Sequence, residues 1–327
     1  MADGGGAELL AVENLQVTYF TARGEVRVVD DVSFRVGAGE AFGLVGESGG
    51  GKSTIAQAIL RVLRPPAAIT GGQVRFAGAD VLAMDDAALG RLRWKQIALV
   101  TQGAMNALNP TLRVREQIVD TIRAHTPAAR REALERAAEL FRVVGIDVDR
   151  LASYPHQLSG GMRQRVVIAI ALALGPKLLI MDEPTTALDV VVQRDLLAQI
   201  AELRRALGFS ILFVTHDLPL MLQVCSRAGI IYGGRLVEAA PAATLRRQPQ
   251  HPYTRALVAC ALDVHGPRGR RPGIAGLPPD PRQPPPGCRF HPRCPEAFDR
   301  CRREAPLLIG RGPDHLSACH LGERATS

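Results

Sequence analysis

The chain has 327 residues, 46% of them hydrophobic, and a formal net charge of +8. That suffices for one core of about 200 residues or more with a tail beside it, in a soluble globular protein. The start, MADGGGAELLAVENL, lacks a basic stretch followed by an apolar core, and the longest apolar run, Val166 to Leu174, falls far short of the roughly 20 residues that span a bilayer. The expectation is therefore no membrane span, no export, a cytoplasmic setting, and six cysteines that serve as thiols or metal ligands rather than as disulfides.

The charge is unevenly placed. Residues 246–327 hold 14 arginines against 7 acidic residues, which leaves residues 1–245 close to neutral. Basicity is thus a property of the tail, where the arginines read as a solvated or subunit-contacting surface and not as a nucleic-acid site. Only Lys52, Lys95 and Lys177 among the basic residues are lysines, so lysine at any position is a choice against the habit of this chain.

From Leu10 to about Arg247, short apolar runs alternate with helical stretches, the pattern of an α/β domain with a mostly parallel sheet. Strands are predicted at Ala41–Val45, Ile97–Thr101, Lys177–Met181 and Ser210–Thr215, each a compact run of the kind covered on both faces. A helix is expected over Ile55–Leu63. Between residues 103 and 171 the strand signal gives way to helical stretches such as Ala128–Val144, which predicts a helical insert. The expected organisation is an α/β domain over residues 8–247 and a small Pro/Cys-rich module over 248–327. Fourteen of the 23 prolines lie between Pro249 and Pro313, and Pro278–Pro286 is close to a polyproline linker.

Gly46-Glu47-Ser48-Gly49-Gly50-Gly51-Lys52-Ser53-Thr54 lies between a predicted strand and a predicted helix and matches the phosphate-loop pattern. Its glycines let backbone N–H groups and a helix N-terminus face an anion, while Lys52 reaches the β- and γ-phosphates of a nucleotide and the Ser53 hydroxyl meets Mg²⁺. Leu178 to Glu183 is an apolar strand ending in two carboxylates. Asp182 suits the Mg²⁺ shell and Glu183 the activation of water. Taken alone, such an ending is also a common strand-to-loop junction. Leu158-Ser159-Gly160-Gly161-Met162 opens an apolar helix and offers a second helix N-terminus to an anion.

With the run continuing through Arg163-Gln164-Arg165 and preceding Asp182-Glu183, this segment resembles the signature of ABC ATPases, and the resemblance extends over roughly residues 8–247. It implies an ABC-type P-loop nucleotide-binding domain with ATP and Mg²⁺ as cofactors. It further implies that Gln102 contacts Mg²⁺ and water, that Asp189 is the D-loop aspartate, that His216 contacts the γ-phosphate, and that Tyr19 stacks on adenine with Phe20 as its neighbour and alternative. Singly, these residues equally fit a surface glutamine, a capping aspartate, a strand-end histidine and a core aromatic. Their joint order carries the argument. Gly50 and Gly103 depart from residues frequent in the family, at positions without essential chemistry. In this family the signature of one subunit faces the phosphate loop of another, so a second ATPase subunit, identical or homologous, is implied.

Ala107-Leu108-Asn109-Pro110, Tyr154-Pro155-His156-Gln157 and His251-Pro252-Tyr253-Thr254-Arg255-Ala256-Leu257 look like the peptide and nickel uptake branch. Cys288, Cys294, Cys301 and Cys319, spaced by 5, 6 and 17 residues, resemble the C-terminal extension of dipeptide and oligopeptide importer ATPases. That resemblance points to a 4Fe-4S iron-sulfur cluster, with zinc as the lesser alternative, in which His291 or His320 replaces a thiolate, and with uncoordinated thiols as the third reading. Cys225 and Cys260 read as small core residues. The implied partners are two transmembrane permease subunits and an extracytoplasmic peptide-binding protein, with the chain peripheral at the cytoplasmic face of the cell membrane. A nickel or other small-solute importer remains open. A soluble non-transport ABC ATPase, which usually has a coiled-coil insert or two fused cassettes, and an exporter fit less well.

Overall fold

The computed structural model describes residues 7–186, 188–262 and 273–324. They form two compact units that alternate along the chain: a flanking unit of residues 8–36, 41–83 and 214–327, and a middle unit that contains 37–40 and 84–213.

The flanking unit opens with β1 (Glu8–Thr21) and β2 (Gly24–Gly37), then β3 (Ala41–Val45), α1 (Lys52–Ile59), β4 (Ala67–Phe76) and β5 (Ala79–Asp80). Strands β2, β1, β4 and β5 make a four-stranded sheet in that order, with β1 and β4 antiparallel and Leu10, Val12 and Tyr19 opposite Phe76, Val74 and Ala67. Along β2, Val32, Phe34 and Val36 turn inward while Arg35 turns outward, the period of two expected of a half-buried strand. This sheet was not anticipated from the sequence. Helix α1 begins and ends earlier than expected, at Lys52 and Ile59. Arg61 takes a left-handed φ of 51°, and the Pro65-Pro66 pair that follows would disfavour further helix.

The middle unit holds α2 (Asp86–Leu92), β6 (Ile97–Val100), α3 (Val114–His125), α4 (Arg130–Val143), α5 (Gly160–Ala171), β7 (Leu178–Asp182), α6 (Val190–Leu207) and most of β8 (Ser210–Thr215). All described residues between 103 and 171 that are in regular structure are helical. Helix α3 buries Val114, Ile118, Val119 and Ile122, and α4 buries Ala133, Ala137, Leu140 and Phe141. These stripes, at helical spacing, pack α3, α4 and α5 on one another. Strands β6 and β7 pair in parallel, Ile97 opposite Leu178, and β8 lies on the other side of β7. Every residue of β7 and β8 is buried, which explains their unbroken apolar text.

The chain then returns to the flanking unit with α7 (Leu218–Val224), β9 (Arg227–Tyr232), β10 (Arg235–Pro241), α8 (Ala242–Arg247), α9 (Pro252–Leu262), α10 (Asp299–Arg303), β11 (Ile309–Gly312), β12 (His315–Ser317) and α11 (Leu321–Arg324). Here β3 pairs in parallel with β9, β9 antiparallel with β10, and β10 antiparallel with β12. The Pro/Cys-rich tail therefore adds two strands to this sheet, β12 beside β10 with Ser317 opposite Glu238, and β11 beside β12. Such short strands carry too few residues to show a period in the sequence.

Candidate active site

In the flanking unit, β3 delivers the chain into the loop 46–51, and α1 starts at Lys52. Gly51 is the N-cap, with φ 91°, and no side chain caps the helix, so its first N–H groups are presented to the loop. Gly46 is obligatory: a Cβ there would stand 2.1 Å from the Ile231 carbonyl oxygen. Lys52 is 4% exposed, and its Nζ donates to the carbonyls of Gly46 at 2.8 Å and Glu47 at 2.9 Å, drawing the ammonium across the loop. The Tyr19 hydroxyl lies 3.4 Å from Thr54 Oγ1. His216, exposed, follows β8, and Asp217 behind it caps α7.

In the middle unit, Asp182 closes β7 at 4% exposure. Glu183 follows in the left-handed region, φ 46°, a conformation costly for a residue with a side chain. Gln102, just beyond β6, donates to Glu183 Oε2 at 2.9 Å, and the Thr186 hydroxyl lies 3.1 Å from that oxygen and 3.1 Å from the Glu183 carbonyl oxygen. Gln102 thus orients the carboxylate. Ser159 caps α5, its Oγ accepting from Met162 N–H at 3.3 Å, with Leu158 buried before it. Gly160 and Gly161 form the first turn, and a Cβ on Gly161 would stand 2.7 Å from Val192 Cγ1 on α6. Asp189 caps α6, accepting from Val191 and Val192 N–H. Ala187, within the Thr186–Asp189 stretch, lies outside the described residues.

The four tail cysteines converge. Cys288, Cys294, Cys301 and Cys319 line one small pocket with His251, Phe290 and His320, and none is in a disulfide. Burial pushes the Cys288 thiol up to about 11, the other three thiols adding to the effect, and burial likewise raises Cys294 and Cys319. Among the described residues, no group of three or more His, Cys, Asp or Glu side chains is set to hold a metal ion. Burial holds His251 down at about 3, so it stays neutral, and its Nδ1 accepts from Tyr253 N–H. Cys225 is buried, as read from the sequence, and Cys260 is partly so.

One group of contacts was not foreseen. Glu47, inside the loop 46–51, forms a bidentate ion pair with Arg293 of the tail, at 2.8 and 3.0 Å, and its N–H donates to the Tyr253 hydroxyl at 3.1 Å. Nothing local in the sequence marks partners this far apart. The only available signal is that Arg293 and Tyr253 stand inside runs already singled out.

A family model described as ABC transporter matches residues 29–186, and one described as oligopeptide/dipeptide transporter, C-terminal region, matches residues 237–301. The chain belongs to the family of ABC transporter ATP-binding proteins. It is 41% identical over 317 residues to the dipeptide transport ATP-binding protein DppD of Caldanaerobacter subterraneus, covering 96% of this chain and 97% of that one. It is 40% identical over 313 residues to the oligopeptide transport ATP-binding protein OppD of Salmonella typhimurium, covering 95% and 93%. Among solved structures, a dimeric ATP-binding cassette in a post-hydrolysis state with ADP and Pi is 26% identical, with a TM-score of 0.64 over 72% of this chain and 99% of that one.

Proposed function

We propose that the chain is the ATP-hydrolysing subunit of an importer of dipeptides or oligopeptides, peripheral at the cytoplasmic face of the cell membrane. It would dock on two transmembrane permease subunits, pair with an identical or homologous ATPase subunit, and receive substrate from an extracytoplasmic peptide-binding protein. The observation that carries this reading is the occurrence, in one chain, of the glycine-cradled loop at 46–54 and a tail matching the oligopeptide/dipeptide transporter C-terminal region. No helix among the described residues is long and apolar enough to cross a membrane.

In this reading Lys52 and the first N–H groups of α1 hold the β- and γ-phosphates, and Tyr19 stacks on adenine. Ser53, Asp182 and Gln102 offer the hard oxygen donors that suit Mg²⁺, which when bound offsets phosphate charge. Glu183 takes the proton of a water whose oxygen bonds to the γ-phosphorus as the bond to the β-phosphate oxygen breaks, leaving ADP and phosphate. His216 contacts the γ-phosphate. Ser159, Gly160 and Gly161 of the partner copy close over it, the helix N-terminus supplying the facing N–H groups, with Asp189 beside that interface. The dimeric state of the solved relative supports this trans arrangement.

Uptake of a labelled dipeptide or tripeptide into proteoliposomes, with the permease subunits and binding protein, tests both halves. Glu183→Gln is expected to slow ATP-driven uptake by about 100-fold or more. ATP hydrolysis without peptide uptake would pass the substrate to nickel or another small solute.

The four tail cysteines are proposed to hold a 4Fe-4S cluster, supported by their convergence on one pocket walled by Phe290. A bound cation would favour thiolates that burial alone disfavours. Anaerobic purification should then yield about four irons and four sulfides per chain. Zinc alone would overturn the cluster.

A further inference from the structure

Glu47 is the most tightly held residue of a loop otherwise rich in glycine. Its N–H donates to Tyr253, its carbonyl accepts from Lys52 Nζ and from Gly50 N–H, and its carboxylate meets Arg293. Tyr253 is fully buried and packs on Tyr232 and Phe290, at 4.6 and 5.4 Å between ring centroids.

Arg293 has no donor to spare. Its Nε donates to Ala275 O at 2.9 Å, and Nη1 to Glu47 Oε2 at 2.8 Å and to Tyr232 Oη at 3.2 Å. Its Nη2 donates to Glu47 Oε1 at 3.0 Å and to Ile274 O at 3.3 Å. The side chain is 6% exposed, and Arg293 directly precedes Cys294. A guanidinium with this many fixed partners, pointing its fork at one carboxylate, sets that carboxylate in position and not merely in charge.

We propose that Arg293 is a positioning residue for the phosphate loop: rooted in the cysteine module, it holds Glu47 so that residues 46–51 keep the shape that receives nucleotide phosphates. Glycines leave the rest of the loop many conformations, and each one the grip excludes is one the nucleotide does not have to exclude on binding. The inference rests on the reading that residues 46–54 hold the phosphates.

The test is binding of N-methylanthraniloyl-ATP to the full-length chain, followed by ATP hydrolysis in the reconstituted transporter. Arg293→Ala is expected to raise the Kd about 10-fold. Arg293→Lys keeps the charge without the fork and should recover only part of the loss. Glu47→Gln should weaken binding comparably, and Arg293→Ala should cost little more in the Glu47→Gln background. KM for ATP should rise while kcat stays within about twofold, the signature of lost ground-state binding. Lys52→Ala is the control for the loop itself. If it loses binding while Arg293→Lys and Glu47→Gln bind as the native chain does, the positioning role is overturned. If Lys52→Ala also binds normally, the reading of the loop fails and the inference with it. Should Arg293→Ala fail to fold, Arg293→Lys and Glu47→Gln decide the matter.

Discussion

Asp30 illustrates how much a single buried carboxylate can hold. It accepts from Arg289 at 2.5 Å, Arg235 at 2.8 Å and Arg27 at 3.4 Å, with its own side chain 8% exposed and that of Arg289 10% exposed. Burial works to raise its pKa, but Arg235 and Arg289 outweigh it and hold the carboxyl below the usual value of 3.8. Asp30→Asn would leave Arg289 buried without its countercharge, and we expect a loss of about 3–5 kcal/mol in chemical denaturation at pH 7. A folded pKa lower than the unfolded one stabilises above pH 3.8 and ceases to do so as pH falls through the folded value. The gap between native and variant should therefore narrow below about pH 4. At this scale the glycines, Lys52, Glu47 and the paired carboxylates stood out in the sequence because each belongs to a local run. The ion pairs of Asp30 and Glu47 did not, since Arg235, Arg289 and Arg293 come much later in the chain.

At the scale of elements, the caps and close approaches set how helices meet. A methyl on Gly161 would press on Val192, a branched side chain with little freedom, and so part α5 from α6. Gly161→Ala is expected to cost about 1–3 kcal/mol in equilibrium unfolding, and Val192→Ala in the same chain should restore part of it. Asp189→Ala removes the acceptor for two N–H groups at the start of α6 and should cost about 1 kcal/mol by the same measurement. The buried strands β3, β6, β7 and β8 were legible as compact apolar runs. Strands β1 and β4 escaped notice because their pairing shifts register between Glu13 and Val17, which breaks the alternation that marks a strand. The start of α1 was placed too late because Lys52, Ser53 and Thr54 read as loop chemistry while already forming the first helical turn.

For the molecule as a whole, the tail belongs to the same compact unit as the loop 46–51. Strand β12 covers the edge of β10, and His315 meets the fully buried Glu238 at 2.7 Å. A chain ending after residue 286 would expose β10 as an open edge and leave the buried Glu238 carboxylate, still accepting from Gln250 and His251 N–H, without its His315 partner. We expect such a chain to elute as aggregates in size-exclusion chromatography under conditions where the full chain does not.

The separation of Glu47 from Arg293 by 246 residues also has a consequence for synthesis. Residues 84–213 leave the ribosome as a continuous stretch, so the middle unit can form while translation continues. The loop 46–51 emerges earlier, yet the arginine that pairs with its Glu47 comes 246 residues later. A nascent chain thus carries this loop without that ion pair until residue 293 is made, and one terminated before it keeps it so.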